Sequence, residues 1–356
     1  MSRPPLSDFY HSSRVIVVRG TGIVWRLVLI GIFSYGCMTS LYLLARLIIG
    51  EQWHWVAFAN NLVPWWALGA LISGGVAIFS RRRWVLIVPQ MPMLCAFIML
   101  YGPMYWPERT SAGGHDGIEL SAATYNLKSI YSQSASIVDV LQSLDTTIIG
   151  VQELARGRAI TLREELGDKY PYQVFYLAPQ RQGVGLLSQY PVLEQYVKRS
   201  NIGAIQYIRV VLDVEGTRVA VYVVHPHTPV SQTSPFAYDD ADREESIAAL
   251  LQRLTMEKDP VLMLCDCNLT DQSDDYHKLD HVLDDSFREA GWGLGFTFSA
   301  KSVFDFMNFL PVVRLDYVWH SPHFTAYDAY VVSNYGTSDH HPVVARLILE
   351  PTESGE

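Results

Sequence analysis

The chain has 356 residues, 49% of them hydrophobic, and a formal net charge of −9. Up to Thr110 it carries nine Lys and Arg against three Asp and Glu, or +6; the remainder carries 18 against 33, or −15. The length allows two domains, the charge division excludes one uniform globule, and the acidic C-terminal part argues against a broad basic surface for nucleic acid.

The N-terminal part reads as a membrane segment. Leu27–Ala45, Gln52–Ser80 and Trp84–Pro107 are free of charged residues, and about 20 apolar residues suffice to cross a hydrocarbon core as helix. This predicts three transmembrane helices, over about 27–47, 54–79 and 84–106. The first run is too long for a cleavable signal and lacks a small-residue cleavage site after it. Trp53, Trp55, Trp65, Trp66, Trp84 and Trp106 lie toward run ends or loops, as interfacial aromatics do. Arg3, Arg14, Arg19 and Arg26 precede the first run, and Arg81, Arg82 and Arg83 fill the turn before the third. Both clusters belong in the cytoplasm. Three spans then place the C-terminal domain on the extracytoplasmic side of a cell (inner) membrane. A Pro-, Gly- and Ser-containing linker ends the membrane domain, residues 1–114. Residues 115–350 form the second domain and 351–356 a tail.

The second domain alternates strands with helices and tight turns. Strands are expected over 118–125, 147–152, 172–177, 184–188, 192–198, 207–214, 217–224, 261–265, 315–320, 324–332 and 343–349. The Glu215-Gly216 pair joins two of them as a hairpin. Helices are expected over 134–144, 160–170, 242–254 and 281–290. Cys37 and Cys95 fall in apolar runs. Cys265 and Cys267 flank Asp266 at a spacing unlike a zinc site and read as small core residues.

Polar residues gather at the predicted strand ends: Asn126, Gln152-Glu153, His225, Asp266 with Asn268, Asp316, and Asp339-His340. Any one of these is an ordinary turn former. Together they are hard oxygen ligands, a titratable base and phosphate donors, the groups that metal-assisted phosphoester hydrolysis requires. His341 and His227 stand beside them and read as structural or rim residues.

The ordered series Thr124-Tyr125-Asn126, Ile149-Gly150-Val151-Gln152-Glu153, Gly183-Val184-Gly185-Leu186-Leu187-Ser188, Val224-His225, Leu264-Cys265-Asp266-Cys267-Asn268, Arg314-Leu315-Asp316-Tyr317 and Ser338-Asp339-His340 resembles the endonuclease/exonuclease/phosphatase superfamily, the DNase I-like fold. The resemblance covers nearly the whole second domain. With the membrane spans and Thr297-Phe298 it is similar to a membrane-anchored bacterial branch that includes the glycopeptide-resistance membrane phosphatases. It implies an α/β four-layer sandwich, two mainly antiparallel sheets flanked by helices. It also implies a Mg²⁺- or Mn²⁺-dependent hydrolase. In that reading Glu153, Asp339 and Asn126 serve the metal. His340 is the general base oriented by Asp316, Asp266 handles the attacking water, and Asn268 and His225 meet the phosphate. Two departures stand out: Cys265 where the family has Gly, and Lys128 where some nucleases carry an acid, which argues for fewer carboxylates around the metal.

The expected substrate is a lipid-linked phosphate or pyrophosphate. A nuclease, a sphingomyelinase-like phosphodiesterase and a non-catalytic phosphoryl-binding module are the alternatives. The apolar stretch with Phe304, Phe306, Met307, Phe309 and Leu310 is expected either in the core or as a lipid-facing patch.

Overall fold

The computed structural model describes residues 6–107, 117–128, 134–178, 183–199, 205–231, 234–299 and 311–351. The chain divides into two compact units, Met1–Gly102 and Pro103–Glu356. The expected domain boundary near residue 114 and the apolar stretch at 303–310 lie outside the described residues.

The first unit holds α1 (Leu6–Ile49), α2 (His54–Asn60), α3 (Val63–Ala77), α4 (Arg83–Ile87) and α5 (Met91–Tyr101). Gly22–Gln52 and Arg83–Tyr105 are each long and apolar enough to cross a membrane. The span expected over 54–79 is instead the bent pair α2 and α3, which meet at 71°. Pro64 in the first turn of α3 is the reason: it donates no hydrogen bond and its ring disfavours helix in the residue before it. Asn61 closes the break by donating its side-chain amide to the carbonyls of Ala57 and Phe58. The described helices are therefore long and apolar enough for two spans, or three if the bent pair crosses as one. Packing within the unit relies on a small residue and a polar one. A side chain at Gly36 would collide with Pro89 and Gln90. The fully buried Gln90 donates to the carbonyls of Ile32 at 2.9 Å and Leu86 at 3.2 Å. Close approach at small residues and buried amide bonds are the contacts by which helices associate in lipid, where the hydrophobic drive between them is missing.

The second unit runs β1 (Ile118–Asn126), α6 (Ser134–Ser143), β2 (Ile148–Leu154), α7 (Arg156–Leu166), β3 (Tyr172–Tyr176), β4 (Gly183–Ser188), β5 (Val192–Arg199), β6 (Ile205–Val214) and β7 (Thr217–Val224). It continues with β8 (Val230–Ser231), β9 (Ser234–Tyr238), α8 (Ala241–Leu254), β10 (Val261–Asp266), α9 (Asp274–Asp280), β11 (Asp284–Asp285), α10 (Ser286–Ala290), β12 (Phe298–Ser299), β13 (Pro311–Val313), β14 (Asp316–His320), β15 (Phe324–Val331) and β16 (Val343–Leu349). The helix expected over 281–290 is only α10, preceded by α9. The polar Asp-Asp-Tyr-His run of α9 hides its start, which is capped by Ser273 accepting from the Tyr276 N–H. Helix α7 begins at Arg156, ahead of the expected 160.

Two six-stranded sheets form, ordered β15-β16-β1-β2-β4-β3 and β11-β14-β10-β7-β6-β5. Each is mixed: β1 and β2 are parallel, as are β7 and β10, and the remaining pairs are antiparallel. Alternation along the strands assigns each residue a face. On the first sheet Ala123, Tyr125, Ile149 and Val151 pack under Ile137, Leu141, Leu162 and Leu166 of α6 and α7. On the second, Tyr222, Met263, Cys265, Tyr317 and Trp319 pack under Ile247 and Leu250 of α8 and Tyr276 and Leu279 of α9. The intervening residues face the other sheet. Gly150 marks the closest approach, since a Cβ there would stand 2.6 Å from the Leu264 Cβ and 3.2 Å from Val223 Cγ2.

That contact generates a prediction. Gly150→Val forces the sheets apart and destabilises the domain by about 1–3 kcal/mol. The thermal melting of the detergent-solubilised protein is expected to fall accordingly, and an unchanged melt would show that the sheets are not in contact there.

Candidate active site

The strand parity that builds the core also builds the site. Asn126 ends β1 and Asp266 ends β10, and both face the space between the sheets. The Asn126 Nδ2 donates to Asp266 Oδ2 at 2.7 Å and to Glu153 Oε1 at 3.2 Å. Its Oδ1 accepts the Lys128 N–H at 2.9 Å, which fixes the orientation of the amide. Asn126 therefore presents its nitrogen to the carboxylates and orients them. Beside it the buried Gln152 donates to Thr124 Oγ1 at 3.0 Å and, across the sheets, to the Leu264 carbonyl at 3.3 Å.

Glu153 follows Gln152 and by simple alternation would face the helices. The ladder between β2 and β4 slips between Val151 and Leu154, and Glu153 adopts φ of 51°. The bulge turns its carboxylate back to Asn126. Lys128 (φ 42°) and Asn268 (φ 49°) share this left-handed conformation. For a residue with a Cβ it costs on the order of 1 kcal/mol and persists where the surroundings enforce it.

His340 enters from the turn that precedes β16. Its Nδ1 lies 2.8 Å from Asp316 Oδ2, and its Nε2 lies 3.8 Å from Asp266 Oδ2. Asp316 is placed by Thr297, whose hydroxyl accepts the N–H groups of Leu315 at 3.1 Å and Asp316 at 3.3 Å. The Ser338 hydroxyl donates to the Asn126 carbonyl at 2.7 Å and accepts the His340 N–H at 3.1 Å. The Phe298 ring lies against His340, with centroids 4.9 Å apart. Burial opposes charge on the imidazole, but the Asp316 and Asp266 carboxylates outweigh it and push His340 up to about 10. Burial likewise raises Asp316, against the pull of His340. With Nδ1 bound to Asp316, the imidazole has one tautomer available for accepting a proton at Nε2.

The other expected residues converge less tightly. The His225 Nε2 stands 3.5 Å from Asp266 Oδ2. The Asn268 N–H donates to Asp266 Oδ1 at 3.2 Å, while its side-chain amide donates to the Pro226 carbonyl at 3.0 Å. Asp339 is buried and ion-paired with the Lys128 ammonium. His341 turns away from the centre, its Nδ1 2.9 Å from the Val332 carbonyl and its ring against Tyr335.

The ligand atoms of Asp266, Asp316 and His340 lie within 4.8 Å of one another, all buried. Glu153 and Asp339 are not part of this close group: Glu153 is linked to Asp266 through the Asn126 amide, and Asp339 is paired with Lys128. Carboxylate oxygens in such density are the donor set of a hard divalent cation.

Cys265 and Cys267 are core residues, as the sequence reading has them, and fully buried, but they are joined as a disulfide, with Cα atoms 5.1 Å apart. Cys265 in β10 and Cys267 just after it pack under α8 and α9, so Asp266 between them faces the opposite sheet. Closing so short a loop contributes only roughly 1.5 kcal/mol through the unfolded chain; its effect is to fix the backbone on both sides of Asp266.

A sequence comparison decides the family: the endonuclease/exonuclease/phosphatase family pattern matches residues 123–340. The chain belongs to the endonuclease/exonuclease/phosphatase family. Solved structures agree on the fold. A family member from Beutenbergia cavernae is 19% identical with a TM-score of 0.53, over 67% of this chain and 73% of that one. One from Bacteroides thetaiotaomicron is 16% identical with a TM-score of 0.52, over 67% and 100%. A truncated Caenorhabditis elegans TDP2 is 14% identical with a TM-score of 0.52, over 65% and 98%. No curated protein matches the chain.

Thr297 and Ser338 hold the site in place without belonging to its chemistry. Their signal in the sequence was only adjacency to family motifs, because a hydroxyl that caps a distant backbone has no spacing rule.

The charge state of His340 sets a pH dependence in metal-free protein. Its folded value of about 10 stands above the ordinary 6.5. The stabilisation is fully present below pH 6.5 and is lost as pH rises through about 10. In EDTA, the melting temperature is expected to decline across that window, and His340→Gln is expected to remove this part of the decline. Parallel profiles for the two proteins would contradict the assignment.

Proposed function

We propose that this family member is a membrane-anchored phosphatase of a lipid-linked phosphate or pyrophosphate, with Mg²⁺ or Mn²⁺ as cofactor. The observation that carries the hydrolase reading is the His340–Asp316 pair facing Asp266 at the junction of the two sheets. The apolar N-terminal helices support a substrate met at the bilayer. The likeness to the glycopeptide-resistance membrane phosphatases belongs to the same reading.

Glu153 and Asp339 would hold the metal, with Asn126 orienting Glu153. When bound, it supplies Lewis-acid neutralisation of phosphate charge and a positive field that returns His340 toward neutrality. The steps of the chain's own residues follow from the geometry. His340 Nε2 takes a proton from water, and the Nδ1–H stays on Asp316. Asp266 positions that water. The water oxygen bonds to phosphorus, the bond from phosphorus to the leaving oxygen breaks, and the leaving group acquires a proton. Asn268 and His225 donate to the phosphoryl oxygens as charge accumulates.

Purified full-length protein with Mg²⁺, tested side by side on polyprenyl pyrophosphate, sphingomyelin and plasmid DNA, is expected to release inorganic phosphate from the first. Cleavage of DNA or sphingomyelin alone would replace the reading with a nuclease or a lipid phosphodiesterase. Glu153→Ala and EDTA are each expected to abolish turnover without lowering the fraction folded; full activity in EDTA would overturn the mechanism.

The side of the membrane depends on whether α2 and α3 cross. An extracytoplasmic site is the reading favoured by the two arginine clusters and by the Cys265–Cys267 disulfide, a bond kept in oxidising compartments. A reporter active only in the cytoplasm, fused after Glu356, is then expected to be silent. A strong signal would mean that the bent pair re-enters its own side.

A further inference from the structure

Lys128 lies two residues after Asn126, and the fold pins the backbone about it at several points. The turn that follows β1 is pinned at successive groups. The Asn126 carbonyl accepts from Ser338, and the Leu127 N–H donates to the Gln152 carbonyl at 3.0 Å. The Leu127 carbonyl accepts from the buried Arg158 at 2.6 Å, and the Lys128 N–H donates to Asn126 Oδ1. Lys128 itself is held at a positive φ of 42°. A non-glycine residue held in that conformation by its surroundings directs attention to function.

The ammonium reaches Asp339, the neighbour of His340. This is not an ordinary surface ion pair. The Asp339 side chain is 10% exposed and that of Lys128 31%. The two turns that carry them are joined by the double hydrogen bond of Ser338. Asp339, beside His340, is the buried side of the pair, and Lys128 is the side that meets solvent. The cluster of Glu153, Asp266, Asp316 and Asp339 repels a phosphate, and an ammonium is a compact point charge with three donors.

We propose that Lys128 is a phosphate-binding residue of this site, its ammonium held by Asp339 so as to meet a non-bridging oxygen of the substrate phosphate. The proposal rests on the phosphoester-hydrolase reading above and adds a residue to it. The ammonium belongs to the chain itself, so it offsets part of the nearby carboxylate charge whether or not a divalent ion is bound. It also gives Asp339 a second duty, that of setting the ammonium's position.

The test uses the full-length protein in detergent with inorganic phosphate as ligand, measured by titration calorimetry in Mg²⁺. Lys128→Met keeps the stem and removes the charge. It is expected to weaken phosphate binding by about tenfold or more, leave Mn²⁺ affinity within about threefold, and leave the protein folded with a lower melting temperature as Asp339 loses its partner; Lys128→Arg is expected to recover much of the loss. Equal phosphate affinity in wild type and Lys128→Met would overturn the proposal. So would loss of Mn²⁺ and phosphate together, because Lys128 would then act only through the metal site. Phosphate binding that depends on Lys128 in a protein that hydrolyses none of the test substrates would uphold the residue's role and sink the hydrolase reading instead.

Discussion

The hydrogen bond from Asn126 to Asp266 spans the two sheets, and the candidate site depends on it. Asn126 belongs to the first sheet and Asp266 to the second. His340 and Asp316 repeat the arrangement, the first in the turn before β16 and the second at the start of β14. Neither sheet holds a complete set of groups. The constellation exists only while the sheets stay in register and in contact, which is why Gly150, packed on Leu264, matters to chemistry it does not touch. Buried polar groups of this kind stay paired or cost free energy, so the network is rigid.

Local backbone irregularity does the rest. Regular strands would have sent Glu153 to the helix face and let Asn268 continue β10. Left-handed conformations at Lys128, Glu153 and Asn268 redirect all three positions at strand ends. The hydrogen bonds from Ser338, Thr297, Arg158 and Asn126 hold the surrounding turns, and the Cys265–Cys267 bond holds the backbone about Asp266. Rigid strands present the groups and short pinned turns aim them, an economical way to preorganise charge.

The first unit follows another physical rule. Its helices meet through Gly36 and through the buried amide of Gln90, the kind of contact that holds helices together where lipid offers no hydrophobic reward for association. Pro64 breaks what composition alone reads as one continuous span. A hydropathy pattern counts apolar residues and does not register a bend, so the number of crossings is a question of geometry.

Much of the catalytic fold was legible in the residues. The sequence pattern located the longer strands within a residue or two but missed the short β8, β9, β11, β12 and β13, and the motif order placed Asn126, Glu153, Asp266, Asp316 and His340 at or near strand ends, because burial on both faces forces apolar runs with polar tips. Helix α9 was hidden, since its buried Tyr276 and Leu279 sit among acids and its cap is a single serine. The tertiary structure alone decided which polar tips meet. The bulge at Glu153 reverses the face that alternation assigns, and the reach of Ser338 to Asn126 joins residues far apart in the chain. The pairing of Lys128 with Asp339 and the disulfide about Asp266 also needed three dimensions. Periodicity encodes a face and a burial, which are local properties of the chain. Contacts across two sheets depend on how the whole core packs, and no local pattern carries that information.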